Sequence, residues 1–307
     1  MTRVAAVDLR TNTTRLLVAD VEDGAVTELE RRAVITRLGE GVDARHSLLP
    51  VPIARVRTVL VDFRRELERL GAERTLAIAT SAVRDAENGE AFLGELEWSF
   101  GFTTRLLTGD EEAELTLHGV RAGREVGPDT LVVDVGGGST ELIADDLCVS
   151  LDVGSVRLTE RFLHSDPPAP DELAAAAAAV RGLMPDARFA RAIGVAGTVT
   201  TLAALELGGY DPVQVDGYRI SRERVEWELA RLAALPLDER RHLPGLEPER
   251  APVIVAGAIV VRETLAHFGL DELEVSERDL LTGAALAAAE LPERVEGDAP
   301  PGAYTCC

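Results

Sequence analysis

The feature that most limits what this chain can fold into is an internal repeat. With Asp8 aligned on Asp134, VDLRTNTTRLL lies over VDVGGGSTELI. Each copy reads as an apolar strand ending in Val-Asp, a four-residue polar or glycine turn, a Ser/Thr-Thr pair and a second apolar strand. Such a unit near the start of each half implies a duplicated domain, with two loops facing one another across a cleft. Chance similarity between two β-hairpins is the alternative. At about 150 residues per domain, a 307-residue chain has room for two domains. Its 46% hydrophobic content is enough to fill two cores.

Around the repeat, strand and helix patterns alternate, which predicts a mixed α/β sheet with covered faces. In the first half, strands are expected from Val4 to Leu9, Arg15 to Asp20 and Val26 to Val34. An amphipathic helix from Pro52 to Leu70 is stopped by Gly71, and a strand from Leu76 to Ala79 follows. A helix from Glu90 to Phe100, a strand from Thr103 to Leu106 and a helix opening at Thr108-Gly109-Asp110-Glu111-Glu112 complete this half. The pattern restarts near Gly127-Pro128. There the chain predicts a strand from Cys148 to Val153, a helix from Ser155, an alanine-rich helix from Asp171 to Met184 and a buried strand from Ile193 to Ala196. Helices from Ser221 to Ala234 and Arg250 to Phe268, a strand from Leu273 to Val275 and a helix from Asp279 to Ala289 end the domain. The proline- and glycine-rich tail, 290–307, is expected to be flexible.

Charge and residue usage exclude several functions. With 53 acidic and 32 basic side chains, the net charge is −21, so a sequence-blind nucleic-acid binder is ruled out. All 32 basic residues are arginine, a bias that a GC-rich genome would produce. A chain without lysine cannot be a Schiff-base enzyme, a P-loop NTPase or a lysine-dependent kinase. Cys148, Cys306 and Cys307 form neither a disulfide framework nor a zinc set, and a reducing cytoplasm is the simplest compartment. The apolar run from Val253 to Val261 is too short to span a bilayer, so no membrane segment is expected.

Chemistry concentrates at Asp134-Val-Gly-Gly-Gly-Ser-Thr-Glu141. Gly136, Gly137 and Gly138 are expected to turn backbone N–H groups into a nest for phosphate oxygens, with Ser139 and Thr140 adding hydroxyl donors. Asp134, at the end of a strand, is placed to hold a hydrated Mg²⁺ or a water. A glycine-rich hairpin without a ligand is the competing reading. Gly197-Thr198 follows a strand at an expected helix start, where free N–H groups and the positive end of the helix dipole favour an anion, although Gly-Thr is also an ordinary helix entry. Glu111 and Glu112 complement a helix dipole, or one of them orients water beside a bound phosphate. Arg84 is a surface cation or, just after a strand, an anion clamp. Gly39-Glu-Gly41 lacks the strand-to-helix setting of a dinucleotide site, and no HExxH or GxSxG occurs.

Taken in order, VDLRTNTTRLLVAD, RLGEGVD, ATSAVRDAEN, TGDEEAEL, VVDVGGGSTEL, VAGTVTTL and VSERDLLTGAAL resemble the exopolyphosphatase and guanosine-pentaphosphate phosphohydrolase family, Ppx/GppA, in its short two-domain form. The resemblance runs from Val4 to Ala289. It implies a duplicated actin/Hsp70/sugar-kinase-like (ribonuclease H-like) α/β fold. Residues 1–126 would form the first domain, joined by the helix 279–289, and 127–278 the second. It also implies Mg²⁺-assisted attack of water on a terminal phosphoanhydride of polyphosphate or guanosine pentaphosphate. Carried over by position, Glu112 is the catalytic glutamate and Glu141 a second candidate for handling water. Asp8, Arg10, Thr11, Asn12 and Thr13 form the first phosphate loop. Asp134, Gly136, Gly137, Gly138, Ser139 and Thr140 form the second, Gly197 and Thr198 the third, and Arg84 faces the phosphates. Asp8 and Asp134 are the implied metal ligands. Relatives often dimerise, and the alanine- and leucine-rich helices serve either a homodimer contact or internal packing. A non-catalytic polyphosphate or alarmone sensor and an ATPase or kinase of the same superfamily are the alternative functions.

One position departs from the family pattern: Arg10 stands where the first loop usually has glycine. Were a positive φ required there, backbone strain of about 1 kcal/mol or more would follow. Three consequences are open at this position: a remodelled loop, a phosphate-binding Arg10 with altered chain-length preference, or lost activity.

Overall fold

The structure, a computed structural model, describes residues 1–292. Along the chain run β1 (Thr2–Leu9), β2 (Thr13–Glu22), β3 (Ala25–Ile35), α1 (Val42–Arg45), α2 (Pro50–Leu70), β4 (Arg74–Ala79), α3 (Ser81–Arg84), α4 (Gly89–Phe100), β5 (Thr103–Leu106) and α5 (Gly109–Arg121). Then follow β6 (Thr130–Val135), β7 (Thr140–Ala144), β8 (Leu147–Leu151), α6 (Ser155–Phe162), α7 (Pro170–Arg181), β9 (Arg191–Val195) and α8 (Ala196–Leu207). The remainder comprises α9 (Pro212–Val215), β10 (Arg219–Ser221), α10 (Arg222–Ala234), α11 (Leu237–Arg240), α12 (Ile254–Phe268), β11 (Glu272–Val275) and α13 (Leu280–Ala289).

Two compact units result. Among the described residues, unit 1 comprises Met1–Arg124 with 278–292, and unit 2 is Glu125–Glu277. In unit 1 the sheet order is β3-β2-β1-β4-β5. The first three strands form an antiparallel meander, while β1, β4 and β5 are parallel. The central strand β1 is apolar almost throughout because both of its faces are covered. Alternation splits its side chains: Ala5, Val7 and Leu9 meet Leu60, Phe63 and Leu96 of α2 and α4. Val4 and Ala6 point the other way, into a core with Leu115 of α5 and Leu281, Ala284 and Ala288 of α13. The edge strand β3 carries charges instead, and the Arg31–Glu28 and Arg32–Glu30 pairs discourage further strand addition there.

Unit 2 repeats this sheet. Its order is β10-β11-β9-β6-β7-β8, so β8-β7-β6-β9-β11 reproduces the order, and the parallel and antiparallel pairings, of unit 1. The turn geometry repeats too: the Arg10 N–H donates to Thr13 O at 3.0 Å, and the Gly136 N–H to Ser139 O at 3.0 Å. The repeat is therefore a duplicated domain, the α/β fold that the resemblance implied. β10, which pairs antiparallel to β11 at the edge, is an addition to unit 2.

Most expected elements occur within a few residues of their predicted bounds. The helix expected from Arg250 starts at Ile254 instead. Pro248–Arg250 is a short 3-10 turn, and Pro252 has no N–H to carry a helical hydrogen bond across this stretch. The three-residue β10 is too short to show a strand period, and α1, α3, α9 and α11 are too short to show a helical one. Of the expected flexible tail, residues 293–307, with Cys306 and Cys307, lie outside the described residues. Among the described residues, no helix is long and apolar enough to cross a membrane.

Candidate functional site

In unit 1 the β1–β2 turn is pinned from three sides. Asn12 O accepts the N–H groups of Thr36 and Arg37, and Thr11 O accepts that of Gly39 at 2.8 Å. Thr11 Oγ1 lies 3.0 Å from Ser81 Oγ at the start of α3. Gly39 is needed for this closeness, since a Cβ there would lie 2.3 Å from the Thr11 methyl. Its glycine therefore serves the packing of the loop. Arg10, Thr11, Asn12 and Thr13 are all buried. Arg10 does not have a positive φ, so the strain conditional on such a φ does not arise. Its Nε donates to Asp8 Oδ2 at 3.0 Å. Arg15 donates to the same oxygen and, through Nη1, to Asp279. Asp8 Oδ1 is buried without a hydrogen-bond partner.

The same unit carries the glutamates, and their roles separate. Glu111 closes a capping box with Thr108: its Oε2 accepts the Thr108 N–H at 2.8 Å, while Arg105 donates to Oε1. The Thr108 N–H first and Arg105 second hold the Glu111 carboxyl below its usual range. Glu111 thus starts the helix. Glu112 is 2% exposed and meets Arg84 Nη1 at 3.4 Å. Arg84 Nη1 also donates to Leu107 O at 2.7 Å, which ties α3 to the link between β5 and α5. In unit 1, α3 thus sets Ser81 against Thr11 at one end and Arg84 against Glu112 at the other.

In unit 2 the glycine loop sits against the start of α6. Gly136 O accepts the Ser155 N–H, and Gly137 O accepts those of Val156 and Arg157. Arg157 Nε donates to Gly138 O at 2.6 Å. With these carbonyls engaged on one side, the loop is held rigid. None of Gly136, Gly137 and Gly138 has a positive φ, so the loop turns without left-handed glycine. The close approach occurs at Gly154, where a Cβ would lie 2.5 Å from the Gly137 carbonyl carbon. Thr140, expected to donate to phosphate, gives its single hydroxyl proton to Val153 O at 2.6 Å. Ser139 is buried within the loop.

Asp134 lies opposite Glu141 in the antiparallel β6–β7 register, and both are fully buried. Directly opposed residues share a face of the sheet, so two carboxylates lie side by side, with Glu141 Oε1 also accepting from Ser150 Oγ at 2.8 Å. Hard oxygen donors of this kind suit Mg²⁺, which binds through one or two carboxylates with the rest from water and phosphate. This donor set fits the implied ion. Among the described residues no cluster of three or more acidic, histidine or cysteine side chains forms a complete metal cage.

Asp134 pairs in parallel with Val195, which places the glycine loop beside the β9–α8 junction at the carboxyl ends of their strands. Ala196 has φ 67°, a left-handed conformation unusual for a residue with a Cβ and a frequent mark of functional turns. A Cβ on Gly197 would lie 2.1 Å from Arg250 Nη1, so the Arg250 guanidinium rests on this glycine. Thr198 packs against Gly257 of α12. Sequence reasoning did not single out Ser81, Arg15, Asp279, Arg157 or Arg250. The repeat itself marked Arg15, which aligns with Glu141; the others carry no local pattern.

The model of the Ppx/GppA phosphatase family matches residues 17–289. The chain is 40% identical to exopolyphosphatase 2 of Mycobacterium tuberculosis over 94% of its own length and 99% of that protein's. The crystal structure of the Aquifex aeolicus Ppx/GppA family member superposes with a TM-score of 0.78 at 30% identity, covering 94% of this chain and 97% of that one. An exopolyphosphatase-like protein superposes with a TM-score of 0.85 at 32% identity, covering 93% and 98%.

Proposed function

Because the chain belongs to the Ppx/GppA phosphatase family, we propose that it is an exopolyphosphatase, a hydrolase that cleaves the terminal phosphoanhydride of inorganic polyphosphate. Guanosine pentaphosphate, which ends in the same triphosphate chemistry, is the second substrate of this reading. The observation that carries it is Glu112, a buried carboxylate at the first turn of α5 held against Arg84. A carboxylate so placed orients a water and takes its proton as the oxygen attacks the terminal phosphorus. The anhydride P–O bond breaks, and the shortened chain leaves with the bridging oxygen.

Little covalent chemistry is asked of the protein in phosphoryl transfer, so positioning and charge stabilisation dominate. The backbone N–H groups of the glycine loop and the Ser139 hydroxyl bind phosphate oxygens. Arg84 both orients Glu112 and offers a cation to the terminal group, and Arg250 supplies a second cation beside Gly197. Mg²⁺ held by Asp134 and Glu141 would supply neutralisation of charge on the phosphate oxygens. The exposed Cys148, a thiol outside any disulfide, suits the reducing cytoplasm in which we place the reaction.

The test is orthophosphate release with Mg²⁺ from long-chain polyphosphate, guanosine pentaphosphate and ATP, run beside Glu112→Gln. Polyphosphate turnover that falls about 10²–10⁴-fold in the variant is expected. Binding without turnover would select a sensor, turnover of ATP alone would retire the reading, and release indifferent to Glu112→Gln would remove that residue from its role.

A further inference from the structure

The two loops share a backbone and differ in charge. Asp8 faces Arg15 across β1–β2 where Asp134 faces Glu141 across β6–β7. Position 10 is arginine where its duplicate, position 136, is glycine. In unit 2 an aspartate thus stands beside a second carboxylate and a residue without a side chain. In unit 1 it stands between two guanidiniums.

Asp8, Arg10, Arg15 and Asp279 of unit 1 are linked by ion pairs. Asp8 Oδ2 accepts from Arg10 Nε at 3.0 Å, from Arg15 Nε at 3.0 Å and from Arg15 Nη2 at 2.5 Å. Arg15 continues to Asp279, whose Oδ1 caps α13 through the Leu281 N–H. Side-chain exposure is 0% for Asp8, 8% for Arg10, 13% for Arg15 and 3% for Asp279. Two guanidiniums are thus fixed on Asp8, and a divalent cation approaching that carboxylate meets their positive charge. Arg10 occupies its place without a positive φ, so no left-handed strain opposes the arrangement.

We infer that Arg10 is a built-in counter-cation of the first loop: Asp8 is withheld from metal binding, and the divalent-cation site of this chain is confined to Asp134 and Glu141. Substrate phosphate at the first loop then meets a guanidinium in place of a metal. The one atom that still fits a ligand, the unpartnered Asp8 Oδ1, belongs to a carboxylate already neutralised. The inference deepens the proposed metal-assisted reaction and rests on it only for the unit 2 site.

The experiment titrates the full-length protein with Mn²⁺ alone and follows free Mn²⁺ by electron paramagnetic resonance. Wild type should bind at a site that Asp134→Asn weakens about tenfold or more and that Asp8→Asn leaves unchanged. Arg10→Gly should add a second equivalent of bound Mn²⁺, which Asp8→Asn in the same chain abolishes. Loss of wild-type binding on Asp8→Asn, or no added equivalent in Arg10→Gly, overturns the inference. A wild type that binds no Mn²⁺ would retire the metal in the proposed reaction, while Arg10→Gly against wild type still decides the role of Arg10. Should Asp8→Asn fail to fold by circular dichroism, the same comparison decides it, with Arg10→Met removing the charge and keeping the bulk.

Discussion

Replacing Arg15 with methionine tests whether the first loop is held by its buried ion set. Arg15 bridges Asp8 and Asp279, and both carboxylates are buried. Without it, Asp8 keeps Arg10 and Asp279 keeps only its cap to Leu281 among the contacts described above. Removing one partner from a buried pair typically costs about 3–5 kcal/mol, because the remaining charge is left uncompensated. For a unit of this size that is a fall in melting temperature on the order of 10 °C. Adding Asp279→Asn keeps the α13 cap but removes the stranded charge, so the double-mutant cycle should show a coupling of about 1–3 kcal/mol.

The pH dependence has a definite sign. Burial raises the Asp279 pKa, but Arg15 and Arg10 outweigh it, and the carboxyl lies below its ordinary value of 3.8. A folded pKa below the unfolded one gives stability that is present above the unfolded value and lost as the pH falls through the folded one. The penalty of Arg15→Met should therefore be full at neutral pH and shrink below pH 3.8. Urea unfolding followed by circular dichroism, at neutral pH and in acid, measures both. A penalty under about 1 kcal/mol at neutral pH, the size of an exposed pair, would refute the reasoning.

Other substitutions separate structure from chemistry. Glu111→Ala should cost about 1 kcal/mol through the lost α5 cap, read by thermal melting, and lower turnover less than Glu112→Gln does. Gly197→Ala displaces the flexible end of Arg250, so polyphosphate KM should rise about tenfold with little change in melting temperature, an effect set by a lost charged hydrogen bond. In Gly154→Ala the new Cβ meets backbone at Gly137, which cannot yield as a side chain does. That variant should lose about 1–3 kcal/mol in urea unfolding and much of its turnover.

Within the site, legibility followed sequence separation. Glu112, Arg84 and the loop from Asp134 to Glu141 stood out because each sits in a short patterned segment: a helix start, a strand end, a glycine turn. Sequence left Glu111 and Glu112 as interchangeable helix-start acids; the capping box assigned the first to the helix and left the second facing Arg84. Thr140 looked like a phosphate donor, yet its hydroxyl is taken by Val153. Which partner a hydroxyl chooses depends on what the fold brings within 3 Å, and nothing local encodes that.

The sequence by itself determined the repeated strand–turn–strand unit, the alternation of strands and helices and the glycine loop, because these rest on backbone preferences and apolar periods a few residues long. Tertiary structure alone decided the order of strands, which lines up Asp134 with Glu141 and Val195. It also decided that Arg15 reaches Asp279, far along the chain, and that Arg250 lies over Gly197. Such contacts form only after loop closure brings distant segments together, and the packing that drives closure is non-directional until side chains interlock. Arg10 shows both halves: the sequence marks it as the odd residue of the repeat, and only the fold shows it on Asp8.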